Sequence, residues 1–133
     1  MTHIEFWYEL ASTYSYPVAM RIEDAAHAAG VAVSWRPFLL GPVFAAQGAP
    51  ADSPFNLQPD KGRYMWRDLE RICDGLGLGF RRPDPFPQPS LMAARIARIG
   101  HQEGWGEAFA KAVYVAEFAE GRPIGERGTL ASL

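Results

Sequence analysis

Between residues 4 and 37 the chain alternates its side chains, changes to a helical spacing, and alternates again, all within about 34 residues. Ile4, Phe6, Tyr8 and Leu10 fall on one face of a period-two pattern, with Glu5, Trp7 and Glu9 on the other. Val18, Ile22, Ala25, Ala26 and Ala29 then recur at helical spacing, and Gly30 follows where a helix would end. Val31, Val33 and Trp35 alternate with Ala32, Ser34 and Arg36 until Pro37 stops the run. Two strands separated by one helix pair in parallel, because a parallel neighbour needs a crossover long enough to hold a helix, and that crossover is right-handed. The chain therefore begins as an α/β protein. Ligands of open α/β sheets gather beyond the carboxyl ends of the strands, where Ser12 and the Pro37-Phe38 segment both fall.

Ser12, Thr13, Ser15 and Pro17 are helix-start residues, so a helix is expected to open at Ser12. A serine there caps a helix without any catalytic role. It does not read as the nucleophile of a hydrolase, because Ala11-Ser12-Thr13 lacks the flanking glycines of a nucleophile elbow and no histidine stands near it in sequence. A donor role fits better. The hydroxyl and the first amides of a helix can hydrogen-bond a sulfur anion brought in by a cofactor, since helix N-termini stabilise anions and lower thiol pKa values.

The chain has 133 residues, 48% of them hydrophobic, enough for one domain with a core and short for two. Lysine plus arginine number 13 against 15 acids, and the net charge of −2 leaves no electrostatic footprint for nucleic acid or an anionic membrane. A small-molecule partner is expected instead. The single cysteine, Cys73, excludes an internal disulfide and a C-x-x-C redox pair, which suits a reducing compartment. The N-terminus enters an alternating strand with no secretory pattern, and no window approaches the roughly 18 apolar residues of a membrane span. A soluble, cytoplasmic protein is expected.

Residues 41–59 are rich in proline, glycine and small side chains and read as a long functional loop. Met65, Leu69, Ile72, Cys73 and Leu76 then mark a helix that dissolves at Gly75, Gly77 and Gly79. Pro83, Pro85, Pro87 and Pro89 make residues 81–90 a stiff connector, with Ser90 placed to cap the next helix. Met92, Ile96 and Ile99 give that helix its apolar face; Trp105, Phe109, Ala112, Val113 and Ala116 mark another, ending near Gly121. Residues 122–133 show no strand, so two parallel strands are left with unpaired edges, a poor sheet by itself.

The remaining signals are structural. Gly75-Leu76-Gly77-Leu78-Gly79 follows a helix and lacks a Lys-Ser/Thr partner, so it terminates that helix and does not cradle a nucleotide. His3, His27 and His101 have no metal-ligand spacing, and no metal is expected. Cys73 on an apolar stripe reads as an unreactive core residue.

Glu-Leu-Ala-Ser-Thr-Tyr-Ser-Tyr at 9–16 resembles the Asp-x-x-Ser-Pro-x-Ser-Tyr signature of the 2-hydroxychromene-2-carboxylate isomerase family, which lies beside the kappa-class glutathione transferases in the DsbA-like branch of the thioredoxin superfamily. Ser12 to Ser15 occupies the place where the disulfide oxidoreductases of that superfamily carry Cys-x-x-Cys. Arg36-Pro37-Phe38-Leu39-Leu40-Gly41 is similar to the family's segment after its second strand, and Lys61-Gly62-Arg63-Tyr64-Met65-Trp66-Arg67-Asp68-Leu69 to its next helix. The resemblance implies an α/β fold: a thioredoxin-like parallel or mixed sheet with a helical insertion, here as a single partial domain over 1–133, with a βαβ unit at 1–40 and the insertion at 60–121. It also implies a homodimer and a glutathione cofactor. Ser12 would hold the glutathione sulfur as thiolate, with Thr13, Tyr14, Phe38, Asn56 and Lys61 around the cofactor. Asp52 competes with Asn56 for the loop's polar contact, and Asn56 is preferred; Lys61, a cation at a helix start, asks for a carboxylate partner from a ligand or from Asp60.

The implied reaction is isomerisation of a small aromatic or unsaturated pyruvate-type substrate in aromatic degradation, by conjugate addition of the thiolate, bond rotation and elimination. A kappa-like glutathione transferase is the alternative enzyme, and a truncated, non-catalytic dimerising module the alternative of another class. Two departures stand out. Thr13 replaces the family's proline, and the strand-rich C-terminal part with its cis-proline is not visible before Leu133, so the chain is expected to lack those strands.

Overall fold

The computed structural model describes residues 2–133. In chain order its elements are β1 (His3–Tyr8), α1 (Ser15–Ala19), α2 (Ile22–Ala28), β2 (Ala32–Pro37), α3 (Leu40–Ala46), α4 (Pro54–Leu57), α5 (Pro59–Leu76), α6 (Leu91–Glu103), α7 (Gly106–Phe118) and α8 (Arg127–Ala131). β1 and β2 pair in parallel, with Ile4 opposite Val33, Phe6 opposite Trp35 and Tyr8 opposite Pro37. The expected strand, helical crossover and parallel strand are therefore present, and these two strands make the whole sheet among the described residues.

Alternation sorts the faces of the sheet. Phe6, Tyr8, Val33 and Trp35 belong to the core or pack against it, with the Trp35 ring edge-on to Phe6 at 4.9 Å and to Tyr8 at 5.3 Å. The other face is polar: Arg36 pairs with Glu5 at 3.1 Å, His3 hydrogen-bonds Ser34 at 2.7 Å, and Trp7 is exposed. β1 ends at Tyr8, short of the alternation read through Leu10, and Glu9 and Leu10 turn inward and are buried.

The crossover corrects one expectation. In place of a single helix opening at Ser12 there are two short helices, α1 beginning at Ser15 with Tyr14 as its N-cap, and α2 beginning at Ile22. The Met20 amide still bonds the Tyr16 carbonyl, but the Arg21 amide bonds Val18 in a tighter turn, and the helix restarts with the Ala25 amide on Arg21. The segment 41–59 also differs from the irregular loop expected, because α3 and α4 lie within it or overlap it, and α8 occupies the tail where no strand was found. α4 is legible once seen: Ser53 caps it by accepting from the Phe55 amide, with Pro54 at its first position.

α5 fits its reading. Met65, Leu69 and Cys73 are fully buried, and Gly77 closes the helix in the left-handed region at φ +68°. Burial pushes the Cys73 thiol up, which leaves it a core group. α6 does not follow its large residues. Its buried face is Ala93, Ala97 and Gly100, while Met92 and Ile99 are exposed. Small residues on that face let α6 and α7 approach closely; a Cβ on Gly100 would meet the Trp105 ring and the Gly106 backbone.

α7 carries the centre of the core. Tyr16 stacks on Phe118 at 5.6 Å and on Tyr114 at 6.3 Å, and each phenol has a polar outlet: Tyr16 donates to the Gly79 carbonyl at 2.7 Å and Tyr114 to the Glu9 carbonyl at 2.8 Å. Beside them Glu117 is fully buried, and neither carboxylate oxygen has a partner among the described residues. Desolvation first, and the nearby charge of Glu9 second, push its carboxyl well above its ordinary 4.5.

A carboxyl raised by folding stabilises the native state below its unfolded value and ceases to do so as pH rises through its folded value. Thermal melts over a pH series should therefore show wild-type stability falling as the solution is made less acidic. Glu117→Gln should flatten that dependence and melt higher than wild type on the alkaline side.

Candidate active site

Beyond the carboxyl ends of β1 and β2 lies a cavity of about 790 Å³. Its walls come from the turn after β1 (Ala11, Ser12, Thr13), from α3 and the strap that follows it, and from the proline-rich connector at 86–91. Leu39, Leu40, Phe44, Phe55 and Phe86 make the lining largely apolar, and Lys61 is its one cation among the described residues. The site is thus where the open α/β rule places it.

Ser12 lines this cavity and is partly exposed. It does not cap a helix: its amide donates to the Glu9 carbonyl at 3.0 Å in a turn, and α1, three residues further on, is only five residues long. The expectation of a long helix whose positive end sits on Ser12 is corrected accordingly. Two local features remain that can meet an anion. The Ser12 hydroxyl has no protein partner, and the Thr13 amide has no acceptor, among the described residues.

The other residues singled out from the sequence divide. Thr13 reaches the floor of the cavity, but its hydroxyl is buried and donates to Met65 Sδ at 3.1 Å. Lys61 lies in the first turn of α5, its Nζ 5.6 Å from the centre of the Phe55 ring. Asp60, its possible partner, is paired instead with Arg63, so Lys61 stands against the helix dipole with no carboxylate held to it among the described residues. Tyr14 is outside the lining; its phenol donates to Asp68 at 2.8 Å, and burial together with that bond pushes it up to about 12. Phe38 is also outside, its amide bonded to the Tyr8 carbonyl at 3.0 Å. Asn56 lies behind the wall, where its amide nitrogen donates to Asp52 at 2.9 Å and to the Phe86 carbonyl at 2.7 Å. Of that competing pair it is Asp52 that faces the cavity.

Glu9 is the site residue that sequence reasoning placed wrongly. Alternation assigned it to the outer face with Glu5 and Trp7, yet it is buried at the cavity floor. Its Oε1 accepts from Ser90 Oγ at 2.5 Å and from the Ala11 amide at 3.1 Å, and its Oε2 from the Leu40 amide at 2.8 Å. Ser90 stands at the N-cap of α6 as expected, but its hydroxyl serves Glu9 and does not cap the helix. The available signal was a lone acid in the apolar run Tyr8-Glu9-Leu10-Ala11.

A parallel βαβ unit with a serine at the turn after its first strand, followed by a helical block, is an arrangement compatible with the opening of a thioredoxin fold. The sequence profile of the DsbA-like thioredoxin domain matches residues 3–133, and the chain belongs to that family. Among solved structures it is similar to a selenomethionine 2-hydroxychromene-2-carboxylate isomerase, at 21% identity and a TM-score of 0.76, covering 98% of this chain and 64% of that one. It is also similar to a probable DsbA oxidoreductase from Streptomyces coelicolor, at 20% identity and a TM-score of 0.72, covering 99% of this chain and 61% of that one. The chain thus spans less than two thirds of either. No curated protein sequence matches it. Among the described residues no helix is long and apolar enough to cross a membrane.

Because Tyr14 points to α5 and not to the cavity, Tyr14→Phe should leave ligand affinity unchanged. Losing its exposed bond to Asp68 should lower stability by at most about 1 kcal/mol in a denaturant titration.

Proposed function

We propose that the chain is a glutathione-dependent isomerase of the 2-hydroxychromene-2-carboxylate type. The observation that carries this reading is the unpartnered Ser12 hydroxyl facing a roomy, mostly apolar cavity whose one lining cation is Lys61. A hydroxyl cannot take part in thiol–disulfide exchange, and the one cysteine is buried far along the chain in α5, so dithiol chemistry does not suit this site. A donor hydroxyl suits a thiolate that arrives with a cofactor.

In the proposed reaction Ser12 and the Thr13 amide would hold the glutathione sulfur as thiolate. Lys61 or the Asp52 edge meets the peptide's charged ends, and the apolar wall takes an unsaturated, aromatic substrate. Glutathione bound there would supply a thiolate able to add reversibly to a conjugated alkene, which would let the former double bond turn before the alkene re-forms and the thiolate is released. Nothing is consumed. The protein supplies orientation and prepared hydrogen-bond donors, and glutathione makes and breaks the bond.

Transfer of glutathione to an electrophile, as in a kappa-like transferase, needs the same thiolate and stops before elimination. The reading includes a cytoplasmic homodimer. A second reading is favoured by the two-stranded sheet among the described residues: a non-catalytic module that only pairs with itself or a longer partner.

Titration calorimetry with millimolar glutathione should show binding, and the bound thiol should ionise below the roughly 8.5 of a free cysteine thiol by its ultraviolet absorbance. Ser12→Ala should weaken binding about tenfold and return the ionisation toward the free value. Absence of heat in the wild type, with a stable dimer by light scattering, would replace this reading with the non-catalytic one.

A further inference from the structure

The cavity is assembled from segments far apart in sequence, and one side chain touches three of them. Glu9 sits at the end of β1; through Oε2 it holds the Leu40 amide at the start of the α3 wall, and through Oε1 it holds Ser90, where the proline connector enters α6. Ala11, the third donor, belongs to the turn that presents Ser12. We propose that Glu9 is the positioning residue of this site, fixing the α3 wall and the 86–91 wall against the Ser12 turn so that a ligand finds the cavity already formed.

The requirement is for a carboxylate, not merely for a polar side chain of that length. Three donors converge on two oxygens, and two of them are backbone amides that cannot reverse. A glutamine with its oxygen toward Leu40 turns its NH₂ group on the Ala11 amide. Flipped, it turns the NH₂ group on the Leu40 amide. The Ser90 hydroxyl can rotate to accept, but in either orientation one amide loses its acceptor inside a buried site, where an unmet donor is costly. Ser90 supports the same assignment from the other side: it occupies a helix N-cap yet leaves the helix amides for Glu9.

The inference deepens the reading of the cavity as a glutathione site, and two separate measurements keep the failures of each apart. Native-state hydrogen exchange on the full chain follows the Leu40 amide and the segments 39–46 and 86–91. In Glu9→Gln these should exchange at least about tenfold faster, while amides of β1, α5 and α7 keep their wild-type rates. Ser90→Ala should accelerate 86–91 alone, and Ser90→Thr, which keeps the hydroxyl, should restore it. Calorimetry with glutathione should then show weaker binding in Glu9→Gln and Ser90→Ala although Ser12 is intact, and wild-type binding in Ser90→Thr.

Unchanged exchange at Leu40 in Glu9→Gln overturns the proposal. So does acceleration spread equally over every element, which marks a general loss of stability and not the placing of two walls. If the walls loosen as expected but the wild type itself takes up no glutathione, the proposed function fails while the positioning role of Glu9 stands.

Discussion

A carboxylate removed from water must find donors, and at Glu9 the chain supplies them from every part of the fold. The carboxylate accepts from Ala11, Leu40 and Ser90, and the same residue's backbone carbonyl accepts from the Ser12 amide and the Tyr114 phenol. The turn after β1, the start of α3, the start of α6 and the middle of α7 therefore meet at one residue. An unpaired buried charge would cost several kcal/mol, so these donors are conditions for burying the acid, not decoration of it. Once the acid is satisfied, the turn that carries Ser12 has a fixed base.

Glu117 is the counter-example inside the same core. It lies near enough to Glu9 to feel its charge, yet it has no donor of its own, and burial drives it toward its neutral form. Two acids on the inner side of one domain thus have opposite circumstances: one surrounded by amides and a hydroxyl, the other buried with neither oxygen bonded among the described residues. The difference follows from their positions, since turns and helix starts leave amides without partners, whereas the last turn of a helix, where Glu117 stands, has its amides bonded and only carbonyls to spare.

The βαβ opening was legible because period-two and helical spacing separate cleanly over residues 4–37, and α5 because Met65, Leu69 and Cys73 form a stripe ending in glycine. α6 misled for a physical reason. Reading for large apolar residues selects Met92, Ile96 and Ile99, of which only Ile96 packs against the core; a helix pressed against another buries its smallest side chains, Ala93, Ala97 and Gly100, and leaves Met92 and Ile99 outside. Ser12 and Lys61, singled out for chemistry that is local in sequence, both line the cavity. Glu9 could not be singled out in that way, since its meaning comes from Leu40 and Ser90, distant in sequence, and from a strand that ends one residue before it. Tyr14 and Asn56 look like ligand contacts in a motif and turn out to hold α5 and the connector in place.

The two strands have a consequence of another kind. Among the described residues each is bonded only to the other, so a single ladder holds Phe6 opposite Trp35, and a slip of one residue would turn that aromatic pair away from the helices and toward water.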